Sequence, residues 1–208
     1  MTNVYHDQEG KTVAYGIESI FKPAMILKNY RDHLKLLAHH NVVTRTGEDD
    51  NYPPFISLMH RPGIDQLMKH LDGVVPIQDS DLEYEISSRY TEIDSRIRGE
   101  LKTTLETMQT MIPGFCRARM MAIPYRTCYS MHKDATLRVH LPIQTNEKAV
   151  MIMRDVIPMH YPANGTIWHV DARREHTFVN GSPHPATRLH IMAIVDPSVE
   201  ESYRKEDL

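Results

Sequence analysis

Arg188-Leu189-His190-Ile191-Met192-Ala193-Ile194-Val195 is an apolar run with a single cation at its head. It reads as a strand, and the chain before it has the same texture. Short apolar or alternating runs recur at Phe115–Ile123, Leu137–Ile143, Ala149–Arg154, Val156–Tyr161, Gly165–Asp171 and His176–Asn180. Turn residues separate them at Thr145-Asn146-Glu147, Pro162-Ala163-Asn164-Gly165 and Asn180-Gly181-Ser182-Pro183. Short strands at this spacing predict a sandwich or barrel. The expected architecture is α+β and mainly β: a double-stranded β-helix, or jelly roll, over about 115–196.

The first half, 1–114, reads as mainly helical and is expected to buttress the β core within one domain of 208 residues, with a tail at 197–208. Ile17, Ile20, Phe21, Met25, Tyr30, Leu34 and Leu37 recur at helical spacing, and Pro23 suits a first turn. Thr44 to Pro54 reads as a loop. Ile64, Leu67, Met68 and Leu71 predict a short amphipathic turn. A longer helix is predicted from about Ser88 to Ile112, on the stripe Tyr90, Ile93, Ile97, Leu101, Leu105, Met108 and Ile112, and Pro113-Gly114 should end it.

Hydrophobic content is 41% and charged content 25%, ordinary values for a globular chain, and the formal net charge of −3 gives no basic balance for nucleic acid. No apolar run approaches the ~20 residues of a membrane span. Met1 to Gly16 is polar and lacks the apolar stretch of a signal peptide, so a cytoplasmic protein is expected. Cys116 and Cys128 lack metal-site spacing and are expected to be reduced.

Histidine is the unusual count, at 13, with seven in the last third: His132, His140, His160, His169, His176, His184 and His190. His132-Lys133-Asp134 stands out among them. On an extended segment the His and the Asp point to one side. His176, arriving from a distant strand, would complete two imidazoles and one carboxylate. That set covers one face of an octahedral ferrous ion and leaves open positions for chemistry. Zinc accepts the same ligands. Arg188 favours iron with an organic acid, because a buried cation needs a partner and a guanidinium grips carboxylates bidentately. Arg138-Val139-His140 repeats the same-face spacing and is expected to line the same cavity. Trp168 is expected in the core.

Five segments, in order, closely resemble the aspartyl/asparaginyl β-hydroxylase family, which includes free-amino-acid hydroxylases such as the proline cis-hydroxylases. They are His132-Lys133-Asp134, Arg138 to Asn146, Gly165 to Ala172, His176 to Asn180, and Arg188-Leu189-His190-Ile191. The resemblance implies a jelly roll that uses Fe(II), 2-oxoglutarate and O2. It implies iron binding by His132, Asp134 and His176, and 2-oxoglutarate binding by Arg188 with Arg138 and His140 as helpers. Asp134 departs from the β-hydroxylases proper, which lack the metal carboxylate, and brings the chain nearer the amino-acid hydroxylases.

The expected activity is hydroxylation of an unactivated carbon in an amino acid, a peptide or a related small molecule. Arg119 and Arg126, on the segment leading to the metal motif, are candidates for binding a substrate carboxylate. Asp171 and Asn180 flank the distal ligand and either hydrogen-bond to it or close turns. The alternatives are a cupin-like metal-dependent isomerase or hydrolase, or a non-catalytic ligand-binding module. No nucleic-acid or membrane partner is expected.

Overall fold

The computed structural model describes residues 4–64 and 83–196. Leu67, Met68 and Leu71 of the expected amphipathic turn, and the tail at 197–208, lie outside the described residues. The strands are β1 (Val4–His6), β2 (Thr12–Ile17), β3 (Phe55–Ser57), β4 (Met59–His60), β5 (Glu92–Ile93), β6 (Cys116–Ile123) and β7 (Thr127–Cys128). They continue with β8 (Leu137–Gln144), β9 (Ala149–Met153), β10 (Met159–His160), β11 (Ile167–Val170), β12 (His176–Asn180) and β13 (Arg188–Val195). The helices are α1 (Pro23–His39), α2 (Glu83–Ser87) and α3 (Gly99–Met111).

Seven strands form the larger sheet, in the order β1-β2-β11-β8-β13-β6-β3, and four form the smaller, β10-β9-β12-β7. Every ladder in these two sheets is antiparallel. The fold is the expected jelly roll. Alternation along the strands divides its core in two. On the outer face of the large sheet, Val139, Leu141, Leu189, Ile191, Ala193, Ala118 and Met120 pack with Ile26, Tyr30, Leu34 and Leu37 of α1 and Leu101, Leu105 and Met108 of α3. Full burial of one such side chain is worth roughly 1.5–3 kcal/mol. Between the sheets, Ile123, Trp168 and Val170 meet Met151, Met153, Tyr161 and Phe178. Trp168 is buried and stacks on Tyr161 with centroids 4.6 Å apart.

The first half contributes more than helices. β1 and β2 extend the large sheet at one edge and β3 at the other. Pro23 opens α1 as expected, but Ile17 ends a strand and Ile20 is 87% exposed.

The helix predicted from Ser88 to Ile112 begins only at Gly99. Three local features stop it from starting earlier. Glu92-Ile93 pairs with β4. Asp94 folds the chain back by accepting from the Arg96 backbone N–H and guanidinium. Gly99 adopts φ +62°, a left-handed conformation that breaks helical continuity. Tyr90 and Ile97 are nevertheless buried, so the stripe marked burial without marking helix. The start of α3 is capped from α1, since Asn29 Oδ1 accepts from Glu100 N–H at 2.7 Å. Pro113-Gly114 ends α3 as predicted. Gly114 has φ +70°, and a Cβ there would strike Asp196.

Among the described residues, no helix is long and apolar enough to cross a membrane.

Candidate metal centre

His132 and His176 sit directly opposite one another. His132 N–H donates to His176 O at 3.0 Å, and His176 N–H to His132 O at 2.9 Å. This isolated antiparallel bridge is the pairing that the extended segment His132-Lys133-Asp134 makes. A directly opposed pair projects both side chains to one side, and the two rings lie 4.5 Å apart. Asp134 is tied two residues later, its N–H donating to Ala172 O at 2.9 Å. The candidate ligand atoms of His132, Asp134 and His176 all lie within 4.8 Å of one another. His176 Nε2 stands 3.8 Å from Asp134 Oδ2.

Hydrogen bonding sets the tautomer of both rings. His132 Nδ1 lies 2.9 Å from Ser130 O, and His176 Nδ1 lies 2.8 Å from Arg174 O. A carbonyl only accepts, so each Nδ1 carries the hydrogen and each Nε2 keeps a lone pair. Burial lowers the pKa of His176, which favours its neutral, ligating form. Two Nε2 lone pairs and a carboxylate, converging from an exposed, a half-buried and a buried residue, fit one divalent first-row ion.

Between the sheets stands a buried charge. Arg188 is fully buried, and its Nε and Nη2 have no hydrogen-bond partner among the described residues. Its Nη1 donates to His190 Nδ1. Burial pulls its pKa down to about 10, so it stays protonated at neutral pH. Its guanidinium lies 4.3 Å over the Phe178 ring. His140 is also buried, and neither ring nitrogen has a hydrogen-bond partner among the described residues. Desolvation first, then Arg188, drives its pKa well below 6.5, so it is neutral. The Tyr129 hydroxyl is likewise buried and without a partner.

The structure distributes the other candidates unevenly. Arg138 is buried and pairs with a candidate ligand, its Nη2 standing 2.9 Å from Asp134 Oδ1. Arg119 faces inward on β6, with Nη2 3.8 Å from Met192 Sδ. Arg126 sits on an exposed turn and donates to Pro183 O. That turn leads into β7, where Thr127 opposes Asn180, at the other end of β12 from His176.

Asn180 takes the turn-closing role. Its Nδ2 donates to Ile123 O and Ala186 O at 2.9 and 2.8 Å, and its Oδ1 accepts from Asn146 Nδ2 at 3.1 Å. It makes no bond to His176, because four residues of strand separate them, about 13 Å. Asp171 holds Arg173 Nε at 2.7 Å and lies 3.9 Å from the Nε of Arg174, the residue whose carbonyl orients the His176 imidazole.

His190, Phe178 and Tyr129 were not singled out from sequence. The first two carry a readable signal, since each lies two residues from a candidate on the same strand and so shares its face: His190 from Arg188, Phe178 from His176. Tyr129 carries none.

No protein-family model matches the sequence, and no curated protein does. The likeness of the five motifs to the aspartyl/asparaginyl β-hydroxylases therefore stands on the quoted residues alone. Several solved structures share part of the architecture. HygX from Streptomyces hygroscopicus, with nickel and 2-oxoglutarate bound, is 8% identical with a TM-score of 0.45, over 89% of this chain and 82% of that one. EctD from S. alaskensis with bound Fe is 12% identical with a TM-score of 0.45, over 89% and 73%. A cupin family protein with a double-stranded β-helix fold from Methanocaldococcus jannaschii is 11% identical with a TM-score of 0.34, over 44% and 80%. At TM-scores below 0.5, the function rests on the geometry of this chain.

Proposed function

We propose that this chain is a dioxygenase that uses Fe(II), 2-oxoglutarate and O2 to hydroxylate an unactivated carbon of an amino acid, a peptide or a related small molecule. Arg188 is the observation that carries the reading. A buried, protonated guanidinium with Nε and Nη2 both unpartnered presents one complete donor edge. That edge is the shape a carboxylate fills bidentately, and leaving it empty of an anion is costly. Phe178 links this edge to the metal centre, because it packs under Arg188 and shares a face of β12 with His176. Two residues of strand span about 6.6 Å, the length scale of a five-carbon diacid reaching from metal to cation.

Bound Fe(II) and 2-oxoglutarate would supply the oxidising power, one oxygen atom of O2 entering a C–H bond as 2-oxoglutarate leaves as succinate and CO2. The protein's part is placement and dryness. His132, Asp134 and His176 would hold the ion from one side. Arg188 would grip the distal carboxylate, with neutral His190 fixing its Nη1. His140, kept neutral, offers the co-substrate a ring nitrogen without adding charge. Phe178, Tyr161 and Trp168 exclude water from the inner wall. Arg119, which faces inward on β6, would contact a substrate carboxylate.

The test is succinate formation from 2-oxoglutarate that requires Fe(II). A panel of free amino acids and short peptides is read for a mass gain of one oxygen. Metal binding with no succinate under any condition would overturn the reading in favour of a metal-dependent isomerase or hydrolase, or of a ligand-binding module.

A further inference from the structure

The two oxygens of Asp134 have different neighbours. Oδ1 lies 2.9 Å from Arg138 Nη2, while Oδ2 faces His176 Nε2 at 3.8 Å. Arg138 is itself held in place. It is only 2% exposed, and its Nη1 lies 3.4 Å from Thr136 O and 3.5 Å from Leu137 O. β8 anchors its backbone, with Arg138 opposite Val170 on one side and Ile194 on the other. The guanidinium is therefore a fixed fixture of the barrel wall, whereas Asp134 sits on an irregular segment and is the more exposed partner, at 24% of its side chain. In this pair the arginine positions the carboxylate.

We propose that Arg138 is a positioning residue that makes Asp134 a one-oxygen ligand, holding Oδ1 so that Oδ2 alone can reach the metal. The proposal rests on the reading that His132, Asp134 and His176 hold a metal ion. A carboxylate free to rotate takes a small divalent ion through one oxygen or both. Binding through both would fill one of the positions that the two imidazoles and a single oxygen leave open. Arg138 prevents this by a charge-assisted hydrogen bond to the second oxygen. This role is distinct from the co-substrate contact that the motif resemblance implied for Arg138, because it acts through the Nη2 contact to Asp134 Oδ1.

The experiment counts exchangeable waters on Mn(II) bound to the purified protein, by water-proton relaxation. An octahedral ion held by three protein atoms keeps about three waters, and one held by four keeps about two. The wild type should read three. Arg138→Met, which keeps the bulk of the stem, should read two, a loss of about a third of the inner-sphere signal. Its Mn(II) affinity should be unchanged or tighter, because a ligand atom is gained and a nearby positive charge is lost. Arg138→Lys should return the count to three. A purely structural arginine would lower affinity and melting temperature together without changing the count. Two waters in the wild type would overturn the proposal without recourse to any variant. So would three waters in Arg138→Met, or loss of Mn(II) from an Arg138→Met protein that still melts cooperatively. Failure of the wild type to bind Mn(II) at all would instead strike the metal-site reading itself.

Discussion

Arg188 lies 4.3 Å over the ring of Phe178, and Phe178 is two residues along β12 from His176. One aromatic ring thus separates a buried cation from a candidate metal ligand, and the two sheets of the jelly roll meet at that ring. The large sheet brings the arginine, the small sheet brings the histidine, and among the described residues the guanidinium's Nε and Nη2 have no hydrogen-bond partner.

Replacing Arg188 should expose this division of labour. Truncating one member of a buried charge pair costs roughly 2–5 kcal/mol, so Arg188→Leu should weaken 2-oxoglutarate binding by about thirtyfold or more. Metal binding should survive, because the ligands lie elsewhere. Arg188→Lys should recover only part, since an ammonium cannot make two parallel bonds. Calorimetric titration with 2-oxoglutarate reads the outcome. Unchanged affinity in Arg188→Leu would remove the co-substrate assignment.

His132→Ala and His176→Ala should each abolish stoichiometric iron binding and all turnover. Each removes one of two Nε2 atoms whose tautomer the backbone has set. Metal analysis after anaerobic loading with Fe(II) checks this. Full occupancy in His176→Ala would show that its imidazole is not a ligand.

Asn180→Ala separates turn closure from support of the metal. The Asn180 side chain is fully buried and satisfies Ile123 O and Ala186 O. Stranding such acceptors costs about 1–3 kcal/mol, and in a chain of this size each kcal/mol lowers the melting temperature by roughly 2–4 °C. Metal affinity should not change. A large loss of affinity with an unchanged melting temperature would reverse this account of Asn180.

His169 makes a pH prediction. It is buried, stacked on Tyr15 with centroids 4.8 Å apart, and burial pulls its pKa from 6.5 down to about 4. The unfolded chain therefore takes up the proton first. The contribution of His169 to stability should be complete above pH 6.5, fall as pH drops from 6.5 towards 4, and level off below. Burial gives His140 and His190 lowered pKa values too, so they act with the same sign. In His169→Phe, which keeps the stack, thermal melts across this range should fall less steeply. An unaltered slope would assign the acid sensitivity to other groups.

Short apolar or alternating runs bounded by turn residues determined most of the β core. Runs such as Leu137–Ile143 and Arg188–Val195 lie within or on the observed β8 and β13, because run length and the turn residues that bound it are properties of the local chain. His-x-Asp and the later His were legible as a candidate ligand set from spacing and side-chain chemistry, and the fold brings their ligand atoms within 4.8 Å of one another. Tertiary structure decided the rest, wherever the deciding partner is remote. The sequence 88–98 shows helical spacing, yet pairing of Glu92-Ile93 with β4 and the left-handed Gly99 deny it a helix. The polar residues 4–17 show little strand signal, yet β11 offers β2 a ladder of backbone hydrogen bonds. Arg138 lies four residues after Asp134, a separation that says nothing of contact in irregular chain. Only the fold turns its guanidinium onto that carboxylate and buries the Nε–Nη2 edge of Arg188 without a hydrogen-bond partner among the described residues, because the neighbours of a buried charge are set by packing across the whole barrel.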